Sequence, residues 1–142
     1  GFDFCTNYDS RKGHELAENA NAALLFFWKE LERQVSIRGL TRKVPVEESE
    51  AYFKVRPFGS QLGAWVSKQS SVVENRAVLE AKYNELEKKY SGQQIPLPPN
   101  WGGYVVAPVT IEFWQGGVNR LHDRFRYTKQ ADGSWTIERL SP

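Results

Sequence analysis

The stretch of sequence that decides the fold is GYVVAPVTIEFWQGGVNRLHDRFRYTKQADGSWTIER, which covers residues 103–139. Three segments in it are rich in aromatic and β-branched residues and predict strands at 103–115, 120–129 and 134–139. Asp132-Gly133, between the last two segments, is a typical hairpin turn. We therefore expect these strands to pair as antiparallel neighbours.

The rest of the chain supplies further strands and helices. Alternating apolar residues predict strands at 2–6 and 33–44, and the apolar run AALLFFW at 22–28 predicts a strand buried on both faces. Capping residues, proline and apolar spacing predict three helices, over 10–19, 45–56 and 75–90. Because strands outnumber helices, we expect a single mainly β domain over residues 1–142. It would be an antiparallel sheet or barrel with helices packed on its outside.

Composition and charge exclude several functional classes. The 142 residues carry a formal net charge of +2 and no basic run longer than two residues, which argues against a general nucleic-acid-binding protein. No apolar run reaches the roughly 18–20 residues of a transmembrane helix, so we expect no membrane partner. Cys5 and the two histidines do not form a typical metal site, and a single cysteine fits a reducing compartment such as the cytoplasm.

Two cations stand at the start of the first predicted helix, in Ser10-Arg11-Lys12. Free backbone N–H groups and the helix dipole favour an anion at such a position. The cations oppose the dipole at a cost of about 0.3–1 kcal/mol each, which a bound phosphate would offset. The sequence thus indicates a phosphate site at this helix start, with a solvated first turn as the alternative.

A second basic cluster lies on the strand predicted at 120–129. Alternate residues of a strand share a face, which predicts a single row of Arg120, His122, Arg124 and Arg126. A multiply charged ligand would offset the repulsion between these groups, and the histidine can titrate near neutral pH. The alternative is a solvated basic face of the sheet.

Two further groups of residues have the chemistry of a binding site. Tyr52 and Arg56 are spaced i, i+4 on one helix face, and together with Ser60 they could clamp a phosphate. Gln34 and the run Gln69-Ser70-Ser71 offer neutral donors and acceptors for a heteroaromatic ligand. Each group also has a structural interpretation: Tyr52 could belong to the core, Arg56 could cap its helix, and the others could stabilise loops.

Several strings of the sequence, taken together, point to one family. They are Thr6-Asn7, Ser10-Arg11-Lys12, Glu32-Arg33-Gln34-Val35, Tyr52-Phe53, Arg56-Pro57, Ser60-Gln61-Leu62-Gly63-Ala64, Ser67-Lys68-Gln69-Ser70-Ser71, Trp101-Gly102-Gly103, Glu112-Phe113-Trp114-Gln115-Gly116, Arg120-Leu121-His122-Asp123-Arg124 and Arg139-Leu140-Ser141-Pro142. The chain resembles the pyridoxine/pyridoxamine 5′-phosphate oxidases along its whole length. The block from Trp114 to Arg124 is the most specific part of this resemblance.

The resemblance implies a fold, a cofactor and an activity. The fold is an FMN-binding split β-barrel, and the protein is a homodimer with FMN at the subunit interface. The reaction is the oxidation of pyridoxine or pyridoxamine 5′-phosphate to pyridoxal 5′-phosphate, with O₂ as the acceptor and H₂O₂ as a product. The implied site contains no metal.

The resemblance also assigns roles to residues of this sequence. The FMN-binding positions are Cys5, Thr6, Arg11, Lys12, Gln34, Gln69, Ser70, Trp114 and Arg124. The clamp for the substrate phosphate is matched by Tyr52, Arg56 and Ser60. Residues over the substrate ring are matched by Arg120, Leu121 and His122, of which Arg120 and His122 are the catalytic candidates.

Two departures from the family pattern bear on activity. Lys54 and Val55 replace a usual His-Ser pair just before Arg56. The family also carries an upstream segment with two barrel strands and phosphate-binding cations, and none of it precedes Gly1. We therefore expect a split barrel without its N-terminal strands. The alternative to an oxidase is a non-catalytic module that binds FMN or a pyridoxal phosphate.

Overall fold

Six strands and four helices make up the computed structural model, which describes residues 1–142. The strands are β1 (Phe2–Asn7), β2 (Asn21–Trp28), β3 (Arg33–Lys43), β4 (Trp101–Gln115), β5 (Asp123–Lys129) and β6 (Trp135–Arg139). The helices are α1 (Arg11–Glu18), α2 (Val46–Val55), α3 (Phe58–Val66) and α4 (Arg76–Lys89). Short 3₁₀ turns occupy Lys29–Leu31 and Val118–Arg120.

The strands form one sheet in the order β2-β3-β4-β5-β6, and β1 pairs with β4 beside this path. The pairs β2–β3, β4–β5 and β5–β6 are antiparallel. The β5–β6 hairpin turns at Asp132-Gly133, where Gly133 has a φ of +87° that a residue without a Cβ adopts easily. The predicted mainly β fold, with antiparallel C-terminal strands and an Asp-Gly turn, is confirmed.

Residue contacts divide the chain into two compact units. The first unit consists of residues 1–2, 20–42 and 105–142, and the second consists of residues 3–19 and 43–104. Ile37, Val105 and Val106 are buried within the first unit. The assignment of residues 1–142 to one domain stays a prediction.

The second unit is built around a core from its helices and the loop that follows them. Its buried members are Phe53, Leu62, Ile95 and Trp101. Tyr83 and Leu86 of α4, together with Tyr90 just after its end, are partly buried and pack against this core. These residues belong to the apolar stripe that the spacing of α4 predicts, and the rest of that helix apart from Leu79 is exposed. Burial of one helix face thus ties α4 to α2 and α3.

The prediction for residues 22–28 was right about the strand and wrong about its burial. β2 is the terminal strand of the five-strand path and is paired with β3 only. Leu25 is 64% exposed and Phe27 is 59% exposed. An apolar run predicts that a surface is hydrophobic, but the surrounding structure decides whether anything covers it.

The prediction of a strand over 120–129 was wrong in its first three residues. β5 begins at Asp123, because the chain turns tightly before it: Asn119 has a φ of +56° and Arg120 a φ of +65°. A Cβ on Gly117 would collide with the carbonyl oxygen of Leu121. Arg120 and His122 therefore do not share a strand face with Arg124 and Arg126, and the predicted row of four cations does not form.

Helix α3 has no counterpart among the sequence-based expectations. α2 ends at Val55, and Pro57 stops it from continuing. Pro57 also lies immediately before Phe58, the first residue of α3. Gly59 and Gly63 each lower the intrinsic helix propensity by about 1 kcal/mol, which hides the helix in the sequence. Tertiary packing offsets that cost, since Leu62 is completely buried in the core of the second unit.

Candidate functional site

The second unit contains a cavity of about 530 Å³ between β1, α2 and α3. Six residues predicted to bind ligands line it: Cys5, Thr6, Tyr52, Arg56, Ser60 and Gln69. Residues without a predicted role complete the lining, namely Asn7, Gly63, Ala64, Ser67 and Trp101. The Tyr52 clamp and Gln69 therefore meet in one cavity, although they lie apart in the sequence. Ser70, Ser71 and Gln34, which were predicted together with Gln69, do not line it.

Arg56 is the principal cation of this cavity. It follows the last residue of α2, where Pro57 stops the helix, and its guanidinium carbon lies 4.8 Å from the centroid of the Trp101 ring. Its Nη1 is buried and has no hydrogen-bond partner. Burial of a charged donor without a partner is costly, and an anion in the cavity would reduce that cost. The geometry of Arg56 therefore fits an anionic ligand.

An aromatic wall stands beside Arg56. The ring of Tyr52 is stacked parallel to that of Trp101, with centroids 6.3 Å apart and an interplanar angle of 6°. Tyr52 is nonetheless half exposed, so the interpretation of Tyr52 as a core residue is wrong. The sequence did not identify Trp101 as a site residue, because Trp101 is far from Arg56 in the sequence and comes close to it only in the folded structure.

Gln69 organises the polar side of the same cavity. Its Oε1 accepts a hydrogen bond from Thr6 Oγ1 at 2.8 Å and another from the backbone N of Asn7 at 3.0 Å. The hydrogen-bonding group that Gln69 has left is its NH₂ donor. Ser70, the next residue, has a φ of +69° and is not among the residues that line the cavity.

Helix α1 begins as the sequence predicts. The Oγ of buried Ser10 accepts from the backbone N of Gly13 at 3.1 Å and caps the helix. Arg11 is exposed and pairs with Glu15 at 2.9 Å, while Lys12 Nζ lies 5.4 Å from the centroid of the Phe4 ring. Neither cation lines the cavity described above, so phosphate binding at this helix start stays a prediction.

A separate cavity of about 380 Å³ lies in the first unit between strands β2 to β5. Aromatic rings dominate its lining, from Trp28, Phe113, Trp114 and Phe125. Gln34 adds an amide to this lining, so two residues with a predicted cofactor role, Gln34 and Trp114, meet here. Gln115, Arg33 and Asp123 add further polar groups to the lining. A cavity with aromatic walls and several hydrogen-bonding side chains suits a planar heteroaromatic ring.

His122 is held by two contacts within the first unit. The centroid of its ring lies 4.8 Å from that of Trp114, and its Nδ1 accepts from the backbone N of Gly117 at 3.1 Å. Since Nδ1 is an acceptor, the neutral imidazole carries its proton on Nε2 and can donate from there. Arg120 and Leu121, the other residues assigned to the substrate ring, are exposed in the preceding turn.

Each arginine of β5 pairs with a carboxylate on a neighbouring strand. Arg124 binds Glu112 on β4 at 2.8 Å, and Arg126 binds Glu138 on β6 at 2.9 Å. The hydrogen bond to Glu112 raises the pKa of Arg124 above its ordinary value. The carboxylates of Glu112 and Glu138 thus offset the repulsion expected between these cations.

Cys5 has the properties of a protonated thiol. Partial burial raises the pKa of the Cys5 thiol, and the positive charge of Arg56 offsets part of that rise.

Among the described residues no group of three or more His, Cys, Asp or Glu side chains is placed to hold a metal ion. None of the helices has the length and apolar character needed to cross a membrane.

Two regions of the chain match known protein families. Residues 1–90 match the family described as Pyridoxamine 5′-phosphate oxidase. Residues 101–142 match the family described as Pyridoxine 5′-phosphate oxidase C-terminal dimerisation region. The chain belongs to the pyridoxamine 5′-phosphate oxidase family. The resemblance drawn from the Trp114–Arg124 block and the other strings is therefore confirmed.

Curated relatives of this oxidase family cover the whole chain. The pyridoxine/pyridoxamine 5′-phosphate oxidase of Streptomyces avermitilis is 57% identical over an alignment of 143 positions, which covers 100% of this chain and 64% of that protein. The protein of the same name from Nostoc punctiforme is 58% identical over 142 residues, which are 100% of this chain and 66% of that protein. The chain thus spans just under two thirds of the length of these relatives.

Solved structures show the family fold. PhzG from Burkholderia lata 383, solved in complex with tetrahydrophenazine-1-carboxylic acid, superposes with a TM-score of 0.92 at 33% identity and covers 100% of this chain and 69% of its own. A pyridoxamine 5′-phosphate oxidase-related, FMN-binding protein from Nostoc punctiforme has a TM-score of 0.76 at 14% identity, with coverages of 99% and 72%. The predicted fold class, that of the FMN-binding split-barrel proteins, is confirmed.

Proposed function

We propose that this chain is an FMN-dependent oxidase that converts pyridoxamine or pyridoxine 5′-phosphate to pyridoxal 5′-phosphate. The observation that carries the proposal is the buried, unpartnered Nη1 of Arg56 in a cavity that Tyr52 and Ser60 also line. The names of the curated relatives support it. FMN, when bound, supplies the redox chemistry, taking two electrons from the substrate and passing them to O₂ with formation of H₂O₂. With the amine substrate, a water supplies the aldehyde oxygen and the nitrogen leaves as ammonia.

In this proposal the cavity of the second unit binds the substrate phosphate. A guanidinium, a phenol and a hydroxyl are suitable donors for the several oxygens of a phosphate group. Anchoring of the phosphate by Arg56, Tyr52 and Ser60 would hold the pyridine ring in one orientation and lower the entropic cost of reaction. Arg120, Leu121 and His122 of the first unit stay the residues proposed to contact the substrate ring, and His122 has an Nε2 donor for such a contact.

The residues present fit FMN by their chemistry. The aromatic cavity with Gln34 and Trp114 suits a flavin ring, and the exposed cations Arg11 and Lys12 suit its phosphate. The full set that we propose to hold FMN is Cys5, Thr6, Arg11, Lys12, Gln34, Gln69, Ser70, Trp114 and Arg124.

A cytoplasmic location also stays a prediction, based on the single cysteine.

The function is tested by adding FMN to the purified 142-residue chain and separating free flavin by gel filtration. We expect FMN to stay with the protein and pyridoxamine 5′-phosphate to yield equal amounts of pyridoxal 5′-phosphate and H₂O₂. Loss of all flavin on the column would contradict the proposal. Retention of flavin without product would instead favour the non-catalytic binding module.

A second candidate substrate class comes from the likeness to PhzG, which was solved with tetrahydrophenazine-1-carboxylic acid. A carboxylate could also occupy the anion site at Arg56, although it has fewer oxygens for Tyr52 and Ser60 than a phosphate has. The same assay with tetrahydrophenazine-1-carboxylic acid separates the candidates. Oxidation of the tricyclic acid without oxidation of pyridoxamine 5′-phosphate would favour a phenazine-type oxidase.

We further propose a homodimer with FMN at its interface. β2 exposes large apolar side chains on both faces, and residues 101–142 match a family described as a dimerisation region. A two-fold interface would cover such a surface. Sedimentation of the chain with FMN should give the mass of two chains. A monomer at micromolar concentration would contradict the proposal.

A further inference from the structure

The last residues of the chain lie against Arg124 of β5. The backbone N of Leu140 donates to the carbonyl oxygen of Arg124 at 2.9 Å. The Nη1 of Arg124 in turn donates to the carbonyl oxygen of Ser141 at 3.0 Å. The C-terminal segment thus contacts both the backbone and the guanidinium of this one arginine.

Glu112 holds the other side of the same guanidinium. Both Nε and Nη2 of Arg124 lie 2.8 Å from Glu112 Oε1. An arginine has five N–H donors, and these contacts with Glu112 and Ser141 engage three of them. The guanidinium plane is therefore fixed from two sides, and two donors are left for a ligand.

The neighbouring Arg126 shows what is special about Arg124. It lies two residues further along β5, on the same strand face, and one of its nitrogens binds Glu138 at 2.9 Å. The Arg126 and Glu138 side chains are 43% and 54% exposed, whereas those of Arg124 and Glu112 are 31% and 25% exposed. Arg124 is thus both more enclosed and more fully bound than an otherwise similar arginine.

We propose that Glu112 and the carbonyl of Ser141 are positioning groups for Arg124, which present its two remaining donors to FMN in one orientation. The inference rests on the proposed function, because FMN is the ligand proposed for Arg124. Glu112 and the C-terminal segment would act through Arg124 and would not contact the cofactor themselves. Binding sites commonly depend on residues that do not touch the ligand but orient the side chain that binds it.

Removal of Glu112 has two opposing effects on FMN binding. It frees the positive charge of Arg124, which would strengthen the attraction for an anionic ligand. It also releases the guanidinium into several orientations, which would weaken a directional hydrogen bond. Because this pair is partly exposed, solvent and salt screen the charge effect, and we expect the loss of orientation to prevail.

The test compares FMN dissociation constants of three variants by fluorescence titration in 0.15 M salt. Glu112→Ala and a truncation that removes residues 141–142 should each bind FMN about tenfold more weakly than the parent chain. Glu138→Ala is the matched control, since it breaks the Arg126 pair on the same strand and should leave the dissociation constant within about twofold. Glu112→Gln keeps an oxygen acceptor for Arg124 and should restore part of the affinity.

Two further readouts separate positioning from a general loss of structure. The visible circular dichroism of bound FMN should change in Glu112→Ala and stay unchanged in Glu138→Ala. The Arg124 Nε–H signal of the FMN-free chain should be protected from solvent exchange in the parent and exposed in Glu112→Ala. If Glu112→Ala fails to fold, the truncation and Glu112→Gln decide the question by the same measurements.

The outcomes distinguish this inference from the proposed function. A parent chain that binds no FMN overturns both. A parent chain that binds FMN, with Glu112→Ala and the truncation binding equally well or more tightly, overturns the positioning role alone. Equal weakening by Glu112→Ala and Glu138→Ala also overturns it, because a general effect on the sheet would then explain the result.

Discussion

Arg56→Ala is expected to weaken binding of pyridoxamine 5′-phosphate by roughly 10- to 150-fold. The substitution removes charge-assisted hydrogen bonds worth about 1.5–3 kcal/mol, and every 1.4 kcal/mol is about a tenfold change in the dissociation constant. Arg56→Lys should recover only part of the affinity, because an ammonium group lacks the planar fork of donors. Isothermal titration of the FMN-loaded chain with the substrate measures all three constants.

The control for Arg56→Ala is Lys54→Ala, in the last turn of α2 just before Arg56. It removes the same charge, and Lys54 does not line the Arg56 cavity. We expect an unchanged dissociation constant for Lys54→Ala. Pyridoxamine without its phosphate should bind the parent and Arg56→Ala equally. Weakened binding of the unphosphorylated compound to Arg56→Ala, or equal effects of the two alanine variants, would show that Arg56 does not bind the phosphate.

Leu62→Ala is expected to lower the free energy of unfolding by about 2–5 kcal/mol. Leu62 is 0% exposed and belongs to the core formed with Phe53, Ile95 and Trp101. The shorter side chain would leave a cavity in that core and lose van der Waals contacts. Urea titration followed by tryptophan fluorescence measures the change, because Trp101 itself lies in the core.

Val72→Ala is the matched surface variant for this measurement. Val72 is fully exposed, at 101% of its reference area, and its truncation should change the free energy of unfolding by less than about 0.5 kcal/mol. A Leu62→Ala chain as stable as Val72→Ala would contradict the placement of α3 in the core. Because α3 also carries Ser60, a destabilised core should in addition weaken binding at the Arg56 cavity.

Local signals predicted most of the secondary structure. Ser10 predicted the start of α1 because its side chain can cap a helix, and the structure shows that bond to Gly13. The stripe on α4 and the Asp132-Gly133 turn were predicted for equally local reasons. α3 and the true start of β5 were not, since packing of Leu62 and the turn around Gly117 depend on residues that are close only after folding.

For the candidate site, the sequence predicted residue types and the structure grouped them. Tyr52, Arg56 and Ser60 were expected together from their spacing, and the structure places all three around one cavity. Trp101 beside them, and Glu112 and Ser141 around Arg124, could not be predicted. Contacts between residues far apart in the sequence leave no periodic pattern, so no spacing rule finds them.

The sequence by itself determined which segments could become strands or helices and which side chains could bind a phosphate or a flavin ring. Those properties follow from the backbone preferences and the hydrogen-bonding groups of each residue, which are local. Only the tertiary structure decided that β2 exposes its apolar faces, that Arg56 has an unpartnered buried nitrogen, and that Arg124 is held by Glu112 and the chain end. These three features depend on contacts between side chains that are far apart in the sequence, and the packing of distant segments determines those contacts.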